Sequence, residues 1–147
     1  LLGEESEPQP DLYLRILPEF GGQSQSEVHG ENEYVAGAPE MVAEIAHSSR
    51  AIDLHGKKDD YARHGVIEYV VVLLKEKQVR WFDLQAGREL VPDPDAVFRS
   101  RVFPGLWIHA EALLEQDASR LMATLEQGLA TTEHEEFVRR LADTQKT

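Results

Sequence analysis

The sequence predicts an α/β fold with a mixed central sheet flanked by helices, and three observations carry that reading. A β-rich run at 40–47 is followed by a helical segment at about 51–64 and a second apolar run at 66–74, the order of a right-handed crossover joining parallel strands. Lys75-Glu76-Lys77 then turns the chain into 78–84, an antiparallel partner carrying Trp81 and Phe82. After Trp107 the apolar spacing becomes helical.

Each element has a local cause. Pro10 ends any helix before it and suits the first position of a strand, so Asp11 to Leu17 predicts a strand at about 12–17. Pro18 to Gly37 holds four glycines and no period, which predicts a long loop. In the strand Glu40 to His47, Val42, Glu44 and Ala46 share one face while Met41, Ala43, Ile45 and His47 share the other. A glutamate on an otherwise apolar face breaks a local rule without an obvious structural gain. Ser49 is the expected N-cap of the helix 51–64, and Gly65 its C-terminal stop. Val66 to Leu74 reads as a strand buried on both faces, interrupted by Glu68. The stretch around Gly87 and Pro92-Asp93-Pro94 is turn-rich, with a short extended piece at Val97 to Arg101. Helices are expected at Ala110 to Leu114, at Ala118 to Gln127 split off by Gly128, and at Glu133 to Asp143 opened by Thr132.

Composition closes off several function classes. With 147 residues the chain has the length of one ordinary domain. It has no cysteine, so there is no disulfide framework, no thiolate nucleophile and no cysteine zinc site, as fits a cytoplasmic protein. Fifteen Lys and Arg against 27 Asp and Glu give a net charge of −12, the wrong sign for gripping nucleic acid by overall charge. The nearly apolar run Val66 to Leu74 is far short of the roughly 20 residues a bilayer span needs, so no membrane association is expected. Leu1 to Glu7 carry three glutamates and no basic residue, unlike the start of a secretory signal. The chain begins without Met and enters directly what reads as a domain edge, so the N-terminal part of the fold is expected to be absent.

If the first two strands pair, Asp11 at the mouth of one and Glu44 inside the other reach the same end of the sheet. Two close carboxylates repel unless one is protonated or a cation lies between them, and hard oxygen ligands favour Mg²⁺ or Mn²⁺. The next helix adds Asp53, Lys57 and Tyr61, at i, i+4 and i+8, within about 80° of one another on one face. A metal held by two acids with an ammonium beside it is equipment for cutting a phosphodiester. Blander readings stand beside this one. Asp53 and Lys57 have the spacing of an exposed ion pair, and Asp11 is an ordinary turn residue after proline. Glu44 is harder to set aside, because an unpaired buried carboxylate costs several kcal/mol.

The residues also form a pattern. Pro10-Asp11, Ala38-Pro39-Glu40-Met41-Val42-Ala43-Glu44-Ile45, Asp53-Leu54 with Lys57 and Tyr61, Gly65-Val66 with Glu68-Tyr69, and Ser100-Arg101-Val102-Phe103-Pro104-Gly105-Leu106-Trp107 follow in order. Over about residues 8–114 this resembles the Uma-type restriction endonuclease family of the PD-(D/E)XK nuclease superfamily. The resemblance implies a restriction-endonuclease-like sheet, with Asp11 as the motif aspartate, Glu44 as the motif acid and Lys57 as a lysine moved from two residues after the acid to the following helix. Ala46 occupies the vacated place. Departures are His47-Ser48-Ser49-Arg50, where the family usually has Ser-Pro-Ser-Thr, and Val70 and Leu73, where it often has Trp and Asp. The family also carries an N-terminal helix and strands, with a glutamate able to join the site, and these are expected to be absent from this chain.

The expectation is therefore a PD-(D/E)XK nuclease-like domain at 1–116, N-terminally incomplete, with a C-terminal helical extension at 117–147. Its expected activity is metal-dependent hydrolysis of DNA phosphodiester bonds. Asp11, Glu44 and the Ile45 carbonyl are the expected ligands for Mg²⁺ or Mn²⁺, Lys57 orients or activates the attacking water, and Tyr61 and Asp53 support the site from behind. The acidic surface calls for help from a partner or a homo-oligomer. The alternative is a catalytically inactive nuclease-fold module with an interaction or regulatory role. The six histidines lack metal-ligand spacing, His47-Ser48-Ser49 lacks the strained elbow of a serine hydrolase, and there is no phosphate-binding glycine motif. Arg99 and Arg101 near Phe103 and Trp107 either touch nucleic acid or edge an aromatic core that closes the sheet.

Overall fold

A computed structural model describes residues 10–29 and 32–146. The opening residues Leu1 to Glu7, judged above against a secretory signal, lie outside that range. Strands β1 (Leu12–Leu14), β4 (Met41–Ala46), β5 (Glu68–Leu73), β6 (Gln78–Asp83) and β7 (Arg88–Glu89) form one sheet in the order β1-β4-β5-β6-β7. β4 and β5 are parallel and the other neighbours antiparallel, so the sheet is mixed. The parallel pair is joined by helix α1 (Leu54–His64), as the crossover pattern requires. Two hairpins stand apart from this sheet, β2 (Gln25–His29) with β3 (Asn32–Ala36), and β8 (Val97–Arg99) with β9 (Trp107–His109). Helices α2 (Ala110–Leu114), α3 (Ala118–Leu129) and α4 (Thr132–Lys146) end the chain.

Strand alternation sends the two faces of the sheet to two cores. Val42, Ala46, Tyr69, Val71, Leu73 and Phe82 pack with Tyr61 of α1 on one side. Met41, Val70 and Trp81 pack with Phe98 and Phe103 on the other, where Phe137 of α4 also contributes. Phe103 and Phe137 meet edge to face at 6.2 Å.

Several boundaries differ from the sequence reading, each for a physical reason. The first strand stops at Leu14 because the Ile16 N–H turns aside to donate to Glu40 Oε1 at 2.8 Å. The expected loop 18–37 contains a 3₁₀ turn at Pro18–Phe20 and the β2–β3 hairpin. Helix α1 begins at Leu54 rather than about 51, since Asp53, not Ser49, is the N-cap and accepts the Gly56 N–H at 3.0 Å. Its C-terminus is capped as expected by Gly65 in the left-handed conformation, φ 95°. Trp107 to His109 form a strand before the helices begin. Gly128 lies inside α3 instead of ending it. A Cβ there would come within 2.2 Å of the Gly105 carbonyl oxygen and 2.6 Å of Trp107, so only glycine lets the helix approach that loop.

Glu68 is fully buried and has become a structural hub. It accepts hydrogen bonds from Trp81 Nε1 (2.9 Å), Ser100 Oγ (2.8 Å) and the backbone N–H groups of Arg101 (2.8 Å) and Val102 (2.9 Å). Arg101 itself pairs with buried Asp83 at 2.8 Å, and Arg99 pairs with Asp93 while lying 4.1 Å over the Trp107 ring. Arg101 and Phe98, which stacks on Trp81, thus fasten the β8–β9 hairpin to the sheet, while Arg99 braces the hairpin internally. Glu68→Ala would leave two buried side-chain donors and two part-buried backbone N–H groups without their acceptor, and we expect a loss of about 3 kcal/mol in unfolding free energy, read by urea denaturation.

Candidate active site

The site is built where β1 ends beside β4. The β1–β4 register pairs Leu12 with Ala43, and one further step sets Asp11 opposite Glu44. Asp11 fills the position a further β1 residue would take: its Oδ2 accepts the Ile45 N–H at 2.6 Å. The N–H and C=O of one strand residue point to the same edge, so the Ile45 carbonyl faces this open end as well. The Ile45 side chain is exposed on the opposite face.

Glu44 points under α1, where it is 7% exposed. Its Oε1 accepts the Tyr69 hydroxyl at 2.9 Å and its Oε2 pairs with Lys57 Nζ at 3.2 Å. Lys57 stays one-third exposed, reaching in from the open side. One helical turn deeper, Tyr61 packs against Tyr69 with ring centroids 5.0 Å apart. The Tyr61 hydroxyl is buried beside the Glu44 carboxylate. Burial first, and then the charge of Glu44, raise both phenols far above the ordinary tyrosine range, with Asp11 adding to each. Both phenols therefore keep their protons and remain donors.

The residues singled out in the sequence separate clearly here. Asp11, Glu44, Ile45, Lys57 and Tyr61 come together. Asp53 does not join them, because its side chain is spent capping α1. Sequence reasoning passed over Tyr69 as an individual residue. The available signal was a phenol in a strand buried on both faces, which must find an acceptor.

Residues 1–111 match the model of the Uma2 family, described as "Putative restriction endonuclease". The chain belongs to the Uma2 family. A search of curated proteins finds no match. The mixed five-stranded sheet flanked by helices agrees with the restriction-endonuclease-like fold. Among the described residues no helix is long and apolar enough to cross a membrane.

In this Uma2 chain the donors fit a hard divalent cation. Among the described residues no group of three His, Cys, Asp or Glu side chains could hold a metal ion, so a cation here would be met by the Asp11 and Glu44 carboxylates and the Ile45 carbonyl. Such an all-oxygen set suits Mg²⁺ or Mn²⁺, which keep several waters and need only one or two carboxylates. The Ile45 N–H and the Tyr69 hydroxyl orient the two carboxylates without saturating their lone pairs.

Replacing Lys57 by Met keeps the aliphatic stem and strands the Glu44 charge. We expect Lys57→Met to lower unfolding free energy by about 1–3 kcal/mol, less than for a fully buried pair because Lys57 is part-exposed. The double variant Glu44→Gln/Lys57→Met should regain most of that loss in the same denaturation experiment.

Proposed function

We propose that the protein is a divalent-metal-dependent endonuclease that hydrolyses DNA phosphodiester bonds, with Mg²⁺ or Mn²⁺ as its ion. The observation that carries this reading is the meeting of Asp11, the Ile45 backbone and the Glu44–Lys57 pair at the open end of β1. Asp11, Glu44 and the Ile45 carbonyl would hold the ion. When bound, the ion supplies Lewis-acid polarisation of the phosphate and eases ionisation of the attacking water. Lys57 offers a part-exposed ammonium to the developing negative charge and orients that water. Tyr69 holds Glu44 in place from below.

The charge distribution supports an approach of DNA from the α1 side. Between residues 44 and 80 seven Lys and Arg balance six Asp and Glu, whereas residues 1–43 carry one against nine and residues 81–147 seven against twelve. A polyanion meets least repulsion over the segment that holds Lys57. The rival reading, an inactive nuclease-fold interaction module, draws on the net charge of −12.

Two measurements decide between them. Mg²⁺ or Mn²⁺ at about a hundred times its Kd should stabilise the native state by about 2.7 kcal/mol and raise Tm accordingly; an unmoved Tm favours the module. Glu44→Ala should abolish metal-dependent nicking of plasmid DNA while leaving the far-ultraviolet circular dichroism intact, and cleavage at the parental rate would reject the assignment.

A further inference from the structure

We infer that the end of the sheet where β4 and β5 finish is a phosphate track, on which Arg50, Lys75 and Lys77 hold the DNA backbone and lead it to Lys57. The inference rests on the metal-nuclease reading above and names the surface by which that site takes its substrate.

Topology gathers these residues. The parallel strands β4 and β5 end side by side at Ala46 and Leu73. From there the chain enters a 3₁₀ turn at Ser49–Ala51 and the turn at 74–77, at the same end of the sheet where Asp11 stands opposite Glu44. In open α/β sheets ligands collect outside the carboxyl ends of the parallel strands. The two turns are also fastened to each other. The Lys75 N–H donates to the His47 carbonyl at 2.8 Å, and Glu76 accepts the Ser49 N–H at 2.9 Å together with the Ser49 hydroxyl. This rim is therefore set before a ligand arrives, which spares the cost of ordering it on binding.

Charge sets the rim apart from the rest of the molecule. Residues 47–58 and 74–77 hold five of the fifteen Lys and Arg but two of the 27 Asp and Glu, in a chain of net charge −12. Both of those acids are engaged, Glu76 by Ser49 and Asp53 by the first turn of α1. Elsewhere the arginines face carboxylates, as Arg80 does Glu89, Arg101 does Asp83 and Arg120 does Glu111. Among the described residues Arg50, Lys75 and Lys77 form no such ion pair, and all three are exposed. Lys77 moreover sits at φ 54°, in the left-handed region that glycine enters freely and a residue with a Cβ does not. Local stability gives no reason for a lysine there, whereas a charge held out for an anion does.

The track is tested by fluorescence anisotropy of a short labelled DNA duplex without divalent ions, over a range of NaCl concentrations. The parental protein is compared with Arg50→Gln/Lys75→Gln, with Lys77→Gly, and with the charge-matched control Arg139→Gln/Arg140→Gln on α4, the helix that packs by Phe137 on the other face of the sheet. Each rim cation removed should make the plot of log affinity against log salt shallower by about 0.9. The weakening should be equal for unrelated DNA sequences, because phosphate contacts carry no sequence information. The control should keep the parental slope. Lys77→Gly should melt at the parental Tm or above it, so its weaker binding is not a folding defect. In Mg²⁺, KM for plasmid nicking should rise in both rim variants by a larger factor than kcat falls. Failure of the parental protein to bind the duplex overturns the inference, as does a parental salt slope in the rim variants or an equal loss in the control. A Lys77→Gly protein that melts lower yet binds as tightly as the parent makes that lysine structural and likewise counts against the track. Rim-dependent binding by a parental protein that cuts no DNA in Mg²⁺ or Mn²⁺ would instead remove the nuclease reading and leave the track standing as a DNA-binding surface.

Discussion

A single buried carboxylate organises this molecule. Glu44 sits on the face of β4 that otherwise contributes Val42 and Ala46 to the core beneath α1, and it must be neutralised there or expelled. Lys57 and the Tyr69 hydroxyl neutralise it, and Tyr61, the buried residue of α1, stacks beside them. Apart from Leu54, which packs against the same core, the helix is largely polar, so its seat on the sheet leans on the few groups that surround the acid. A buried ion pair contributes little net stability compared with well-packed apolar residues, although breaking it by removing one partner is costly. Stability alone therefore gives no reason for Glu44.

Comparison with two neighbouring glutamates sharpens the point. Glu40 accepts the backbone N–H groups of Ile16 and Gln23, and Glu68 accepts two backbone N–H groups together with the Trp81 indole and the Ser100 hydroxyl. Both are buried, and each fastens a loop to the sheet with donors fixed by the chain itself. Glu44 is met by side chains instead, one of which is long and part-exposed. A carboxylate held by backbone N–H groups and fixed buried side chains stays where it is, whereas one met by a movable ammonium can exchange that partner for another cation. The same residue type serves as rivet at positions 40 and 68 and, in the proposed function, as the metal-binding acid at position 44.

Much of this was legible along the chain. The strand, helix, strand pattern from Glu40 to Leu74 determined the crossover and the sheet around it, because periodicity and the glycine stop at Gly65 are local properties. The anomaly of Glu44 on an apolar face and the i, i+4, i+8 spacing of Asp53, Lys57 and Tyr61 likewise needed only the sequence, and two of those three helix residues reach the site. Composition alone excluded cysteine chemistry, and the overall negative charge announced that any polyanion must be met locally.

What the chain could not show were the partners brought from far away in sequence. Asp11 engages the Ile45 N–H across 34 residues, and Tyr69 reaches Glu44 across 25, distances over which no periodicity carries information. Asp53 looked like a member of the site until the start of α1 was located three residues later than expected, which turned it into a cap. Gly128 read as a helix stop until the Gly105 loop was found pressed against it. Local sequence determined which segments become strand or helix, because propensity and period act over a few residues. Only the folded sheet decided which polar group meets which, because a buried charge takes its partner from whatever the register brings within about 3 Å.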